Sequence, residues 1–452
     1  MLKRILKYII TFISIIILFI GLLTVSALFP SKYIKNNVKA SSELLNSEGN
    51  RRNTYIFLKL ITIQFDNYTD ALMLNTAYSI DNSTPLYSSF VARKNYVPTI
   101  EQTIYEDSVG ELHSASKYQG HNEVGELNDT LNEDINESFE YARYWHGYLT
   151  LLRPILLIFS LSQIRIILTI IFILLAIIVF MNIYKKLGLY YMLAFLLGFL
   201  GVEYFYMGLS MQGCFIFIIT MIFMKIILKR FDKIKDISIF FLIVGMFTNF
   251  LDFLTNPLIT LFVPLILYFL LKQKENKLSI KECIIIFLKT GIPWVLGYGL
   301  TWLSKWVLVD IIFNKNLLKT ALGQVLYRTN GSWKINKTLP ITQNLQYILI
   351  PIIVDIVYIL FIKLYKTTDK NNKTGIKNIF TNIFPYIVIA IVPYIWYFII
   401  KDHSYKHSFF TYREQIMTLI SLPIIYLKCI EQKEIKELNE RNEVQKKNDN
   451  ET

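Results

Sequence analysis

Residues 393–413 read PYIWYFIIKDHSYKHSFFTYR, an apolar run that passes without a break into Asp402, His403, His407 and Arg413. The chain has only five histidines, and two of them stand here four residues apart. Ionisable side chains at the mouth of an apolar span are costly to bury and are kept where they have a task. Fold and function both turn on which other polar residues share that side of a membrane.

Composition sets the class. Of 452 residues, 53% are hydrophobic and only 18% charged, and the mean hydropathy is +0.40. That is too apolar for a soluble chain of this length, and it predicts an all-α polytopic membrane protein. The formal charge of +13 is carried mainly in short connectors between apolar runs. Lysine and arginine collect there in membrane proteins, so the charge reports topology and not a nucleic-acid partner. Cys214, Cys283 and Cys429 lie in or near different spans with no CxxC or Cys/His spacing, which argues against a disulfide framework or a cysteine-built zinc site.

Residues 1–29 read as a first transmembrane helix. Lys3, Arg4 and Lys7 precede about twenty apolar residues, and the run ends Ala27-Leu28-Phe29-Pro30 instead of in the small residues of a cleavage site. Its start is placed in the cytoplasm. Residues 30–147 then carry 16 acidic against 10 basic residues, opposite in sign to the whole chain, so 30–150 is expected to be an extracytoplasmic loop with interfacial helices. Asp66 and Asp70 would share one face if their stretch is helical. Residues 107–134 read as an exposed loop, and Tyr141 to Tyr148, with Arg143 and His146, as the return to the membrane.

Residues 151–428 form the multi-span domain. Apolar runs alternate with basic loops at Lys185 and Lys186, at Lys229 and Arg230, and at Lys272 to Lys277. A second outer loop at about 313–344 holds an interfacial helix, Leu317 to Tyr327, ending at Arg328. The count gives about ten spans with both termini cytoplasmic. Residues 429–452 are a charged cytoplasmic tail.

This count brings Asp66, Asp70, Arg143, His146, Glu203, Asp252, Arg328, Asp402, His403, His407 and Arg413 to the outer side. Asp66 or Asp70 can serve as a general base that deprotonates a hydroxyl. His403 and His407 lack an evident third ligand, so a divalent metal is only an open alternative, while Lys401, Lys406 and Arg413 beside them favour an anion such as a phosphate leaving group. Glu203 and Asp252 stand near membrane depth, where catalysis and pairing with a structural cation are both open. No GxGxxG, P-loop, serine-elbow or HExxH pattern is present, which removes soluble nucleotide chemistry from the leading readings; a sugar-transfer enzyme working outside the cell has no nucleotide supply, so its donor would be lipid-linked.

The arrangement resembles the GT-C superfamily of membrane glycosyltransferases. The likeness rests on a first helix followed by a large acidic loop (Asp66, Asp70), an interfacial return, many spans, a second outer loop with Arg328, and a late segment with His403, His407 and Arg413. It implies a polyprenyl-phosphate-linked sugar as donor, inversion at the anomeric carbon, and a cell-envelope glycan or lipid as acceptor. Asp66 or Asp70 would act as base or acceptor anchor, and Arg328, His403, His407 or Arg413 would hold the phosphate. The acidic pair lies farther from the first span than in the commonest pattern. Lys-, Ile- and Asn-rich usage points to an AT-rich, bacterial genome. A polymerase or ligase of lipid-linked glycans is one alternative. A transporter or flippase lined by Glu203 and Asp252 is another.

Overall fold

The computed structural model describes residues 2–56, 61–98, 104–106, 112–114, 122–133, 135, 137–330, 336, 338–365 and 376–431; the side chains of some of these, Arg328 among them, lie outside the description. The chain opens with α1 (Leu2–Ala27), an uninterrupted apolar helix, and continues in α2 (Lys35–Glu48). Strands β1 (Arg51–Ile56) and β2 (Ile61–Asp66) pair antiparallel, with Arg51 opposite Asp66 at the end of the ladder away from the turn. α3 (Asn67–Tyr78) leaves β2 directly, because Asp66 caps it: its carboxylate accepts from the Thr69 amide at 3.3 Å and from the Thr69 hydroxyl at 2.6 Å. There follow α4 (Pro85–Phe90), β3 (Arg93–Asn95), β4 (Ile104–Glu106), β5 (Leu112–Ser114), α5 (Glu123–Asn132), β6 (Ser138–Glu140) and α6 (Leu149–Leu156). β3 pairs with β6 and β4 with β5.

One expectation is corrected here, and one feature is new. The region after α1, expected to be a loop with interfacial helices, also carries short paired strands and folds as an α+β unit. In β2, Ile63 and Phe65 are buried while Gln64 and Asp66 are less so, the period of two that a strand presents to a core. Within 107–134, which reads as an exposed loop, residues 123–132 form α5. Asn122 caps it by accepting from the Gly125 amide at 3.1 Å, and Val124, Leu127 and Leu131 recur on one buried face. Residues 107–111, 115–121 and 134 lie outside the described residues.

Arg153, in α6, is fully buried and reaches back to the C-terminal ends of two helices. Its guanidinium donates to the Ser26 carbonyl at 2.9 Å and to the carbonyls of Phe29 and Ala77. Last-turn carbonyls lack intrahelical partners and carry the negative end of the helix dipole, so one cation satisfies the ends of both α1 and α3.

The remaining helices are α7 (Leu161–Leu187), α8 (Leu189–Gly201), α9 (Met211–Arg230), α10 (Ile237–Leu251), α11 (Ile259–Glu275), α12 (Ile280–Phe313), α13 (Leu317–Asn330), α14 (Leu339–Tyr347), α15 (Leu349–Tyr365), α16 (Ile376–Ile399), α17 (Lys401–Lys406), α18 (Ser408–Thr411) and α19 (416–431). Among the described residues, five helices are long and apolar enough to cross a membrane, or six if α14 and α15, bent by 62°, count as one span. This is a helical, multi-pass membrane protein. The expected count of ten is not confirmed: α8 has 13 residues and α10 has 15, and 13 residues rise only ~20 Å against the ~30 Å of a hydrocarbon core. α10 and α12 pack backbone to backbone. A Cβ added at Gly245 would collide with the Trp294 carbonyl, and one at Gly297 with the Leu242 carbonyl.

The 401–415 segment is held by Asn344 of α14. Its amide donates to the Ser404 carbonyl at 3.0 Å, its side-chain oxygen accepts from Thr411 Oγ1 at 2.8 Å, and its backbone carbonyl accepts from Gln415 Nε2 at 2.8 Å. The bend between α14 and α15 lays α14 across α17 and α18, which makes these bonds possible.

Candidate functional site

A cavity of about 680 Å³ opens between the α+β unit and the 401–415 segment. From the unit come Arg51, Asp66 and Tyr68; from the return segment Tyr141 and Tyr144; from α17 and the turn after it His403, Lys406 and His407. Phe253, Phe409 and Phe410 complete an aromatic wall. One carboxylate therefore faces a group of cationic and titratable side chains more than 330 residues away in sequence.

Each side chain is fixed by its own surroundings. Burial raises the Asp66 carboxyl above the ordinary range, opposed by the two Thr69 hydrogen bonds and by the charge of Arg51. Arg51 also stacks over Phe409, 5.2 Å from the ring centre. The His403 ring hydrogen-bonds through Nε2 to the Leu254 carbonyl at 2.8 Å and lies 4.7 Å from the His407 ring. His407 stacks on Phe410 at 5.1 Å. The four-residue spacing read from the sequence thus places both imidazoles on the cavity, one within a short helix and one just past its end.

Asp70 does not line the cavity. Its carboxylate accepts from the backbone amides of Met211 and Gln212, at 3.2 and 3.1 Å, and so caps α9 from outside; Arg165 stands 3.8 Å away. Burial raises its carboxyl to about 7, against the pull of Arg165. The same Arg165 donates to both oxygens of Glu48 at 3.0 and 2.8 Å and to Asn67 at 3.0 Å, tying the start of α3 to α7. Of the acidic pair, Asp66 reaches the cavity and Asp70 clamps the unit to the helices.

The other residues singled out from the sequence are dispersed. Glu203, in a left-handed conformation with φ 56°, pairs with Arg413 at 3.3 Å. Asp252 accepts from the Thr255 amide at 3.0 Å and shapes the turn into α11. His146 is buried and neutral, driven down to about 3 by burial and then by Lys305, with Nε2 bonded to the Tyr141 carbonyl at 2.7 Å. Arg143 stacks on Tyr144 at 5.2 Å, and its carbonyl accepts from Trp302 and Trp306. These two hold the cavity wall without lining it. Arg328 falls within α13, with its side chain outside the described residues. Asp402 is buried beside the site and does not line the cavity.

Sequence reasoning missed Arg51, Tyr68, Asn50 and Gln212, all of which line the cavity. For Arg51 a signal existed: the alternation leading to Asp66 marks a strand, and its hairpin partner carries Arg51 and Arg52. Among the described residues no three His, Cys, Asp or Glu side chains gather to hold a metal. A carboxylate set against cations, with aromatic faces between, can bind an anionic leaving group and a sugar ring while a base waits beside them. Compared with family models, with curated proteins and with solved structures, the chain matches none of them.

Proposed function

We propose that this chain is an integral membrane glycosyltransferase that moves a sugar from a polyprenyl-phosphate carrier to a cell-envelope acceptor, at the outer face of the membrane. One observation carries the reading: Asp66 lines the same cavity as Arg51, His403, Lys406 and His407. Asp66 takes the proton of the acceptor hydroxyl, and the oxygen attacks the anomeric carbon. The bond from that carbon to the phosphate oxygen breaks, its electron pair leaves with the phosphate, and the facing cations stabilise the charge. Attack opposite the leaving group inverts the anomeric centre. Tyr68, Tyr141 and Tyr144 offer ring faces for the sugar.

The test is transfer of radiolabel from polyprenyl-phosphate-linked sugars to envelope acceptors by the purified protein. Transfer that collapses in Asp66→Asn, with folding intact, supports the reading. A second reading, a transporter, is favoured by the bent α14–α15 pair and by Asp355 buried in α15. Substrate flux in liposomes with no transfer from any donor would establish that one instead.

A further inference from the structure

Behind the main cavity lies a chamber of about 20 Å³, and Asp66, Gln212, Phe409 and Phe410 stand in the walls of both. A single water needs roughly 10–15 Å³. The chamber is also lined by Ser210, Thr255, Asn256 and Arg413. Asn256 is 2% exposed and Arg413 4%. Each carries a buried polar atom, Oδ1 of Asn256 and Nε of Arg413, without a hydrogen-bond partner among the described residues. One is an acceptor and the other a donor, the pair of functions that a water supplies. Buried waters settle where they make about three hydrogen bonds, mostly to otherwise unsatisfied groups, and Asp66, whose carboxylate keeps acceptor capacity beyond its Thr69 bonds, stands in the same walls. The direct bonds of Arg413 are long, 3.3 Å to Glu203 and 3.4 Å to the Phe409 carbonyl.

We infer that the chamber holds a resident water that accepts from Arg413 and donates to Asn256 and to the Asp66 carboxylate, which makes Arg413 a positioning residue for the base and not a clamp on the substrate. The role of Asp66 as a base rests on the glycosyltransferase reading; the water bridge does not. Arg51 faces Asp66 from β1 and Asp70 follows it on α3, while Tyr68 stands beside it. His403, Lys406 and His407 share the outer cavity with it. Against this background a donated hydrogen bond favours the ionised carboxylate, so removing the water shifts Asp66 toward its neutral form.

Gly213 gives access to the chamber. A Cβ there would stand 3.2 Å from Met207 Sδ and 4.0 Å from Ser210 Oγ, both chamber residues, so the methyl of Gly213→Ala enters at the expense of one flexible thioether. Two measurements on the full chain in lipid nanodiscs test the inference: electron cryo-microscopy maps fine enough to show waters, and carbodiimide labelling of Asp66 followed by mass spectrometry across pH, since the reagent attacks the protonated acid. The wild type is expected to show a water within bonding reach of Arg413, Asn256 and Asp66. Gly213→Ala is expected to lose it and to label about tenfold faster near neutral pH, a shift of about one unit in the Asp66 midpoint. A wild-type map without that water overturns the inference, as does a variant that has lost the water and labels like wild type. Should the methyl fail to displace the water, Asn256→Leu, which removes its acceptor and fills the same space, is read by the same criteria. Neither readout depends on sugar transfer, so an inactive protein with the water in place counts against the transferase alone.

Discussion

Arg51 and Asp66 stand directly opposite each other across the β1–β2 ladder, and the Arg51 guanidinium lies 5.2 Å from the centre of the Phe409 ring. The hairpin thus presents a carboxylate and a cation together and lays the cation on the segment that carries the two histidines. Register decides this. A slip of one residue would turn Asp66 to the opposite face of the hairpin.

The two aspartates are expected to separate by phenotype. Asp66→Asn should lower kcat of transfer by about 10²–10⁴-fold, the usual worth of a general base, with little change in the unfolding midpoint. Asp70→Asn leaves the α9 amides with at most one acceptor, and a lost buried partner costs about 1–3 kcal/mol, so it should lower the midpoint first. Rates and thermal unfolding on the same preparations check both, and unimpaired transfer by Asp66→Asn would remove the base assignment.

Acidity should act on rate and stability in opposite directions. A base at Asp66 would work only when ionised, and burial has raised its pKa, so transfer should fall on the acid side at a pH above that of an ordinary aspartate. Asp70 has a folded pKa of about 7 against an ordinary 3.8. Between those values the folded chain keeps a proton that the unfolded chain has released. The stability it contributes is full below about pH 4 and is lost as pH rises through about 7. Unfolding midpoints across that window, wild type beside Asp70→Asn, should show the slope flattened in the variant.

Lys406→Met and His407→Ala address the leaving group. A charge-assisted hydrogen bond is worth about 1.5–3 kcal/mol, so each should weaken the donor or its departure by about tenfold or more, with acceptor KM little changed. Initial rates against donor concentration would show this, and an effect confined to acceptor KM would refute the assignment.

Arg153→Met should be among the most destabilising single changes. It leaves the Ser26, Phe29 and Ala77 carbonyls without their shared donor in a buried setting. Each unsatisfied buried group costs about 1–3 kcal/mol, so the three together should cost at least about 3 kcal/mol. Thermal unfolding in detergent measures it. Arg153→Lys, a point donor without the planar fork, should recover only part.

Much of this was legible in the sequence, and the reason differs from place to place. α7 and α9 end at Lys185–Lys186 and Lys229–Arg230, where charge follows long apolar runs, because period and punctuation are local properties. α8 and α10 read equally well as spans; the break at Glu203 depends on a distant partner, Arg413, and the one at Asp252 on a local turn closed by Thr255, which apolar length alone does not show. His403, His407 and Asp66 were recognisable as candidates because histidine is scarce in the chain and acids preceding an apolar helix stand out. That Asp70 would turn to α9 was not readable, since its partners are backbone amides of residues 211 and 212. Arg153 carried no signal either: in an apolar stretch it resembles any membrane-flanking cation, and only the meeting of two helix ends shows its work.

The position of Arg153 also bears on the order of assembly. The α+β unit comprises residues that leave the ribosome before it, yet the ends of α1 and α3 stay unsatisfied until it arrives. The unit can therefore reach its final form only after the chain has turned back toward the bilayer, and a fragment cut at residue 147 would lack the side chain that closes it. The 401–415 segment that faces the unit across the cavity begins about 250 residues after that guanidinium, so the cavity's two sides come from distant parts of the chain.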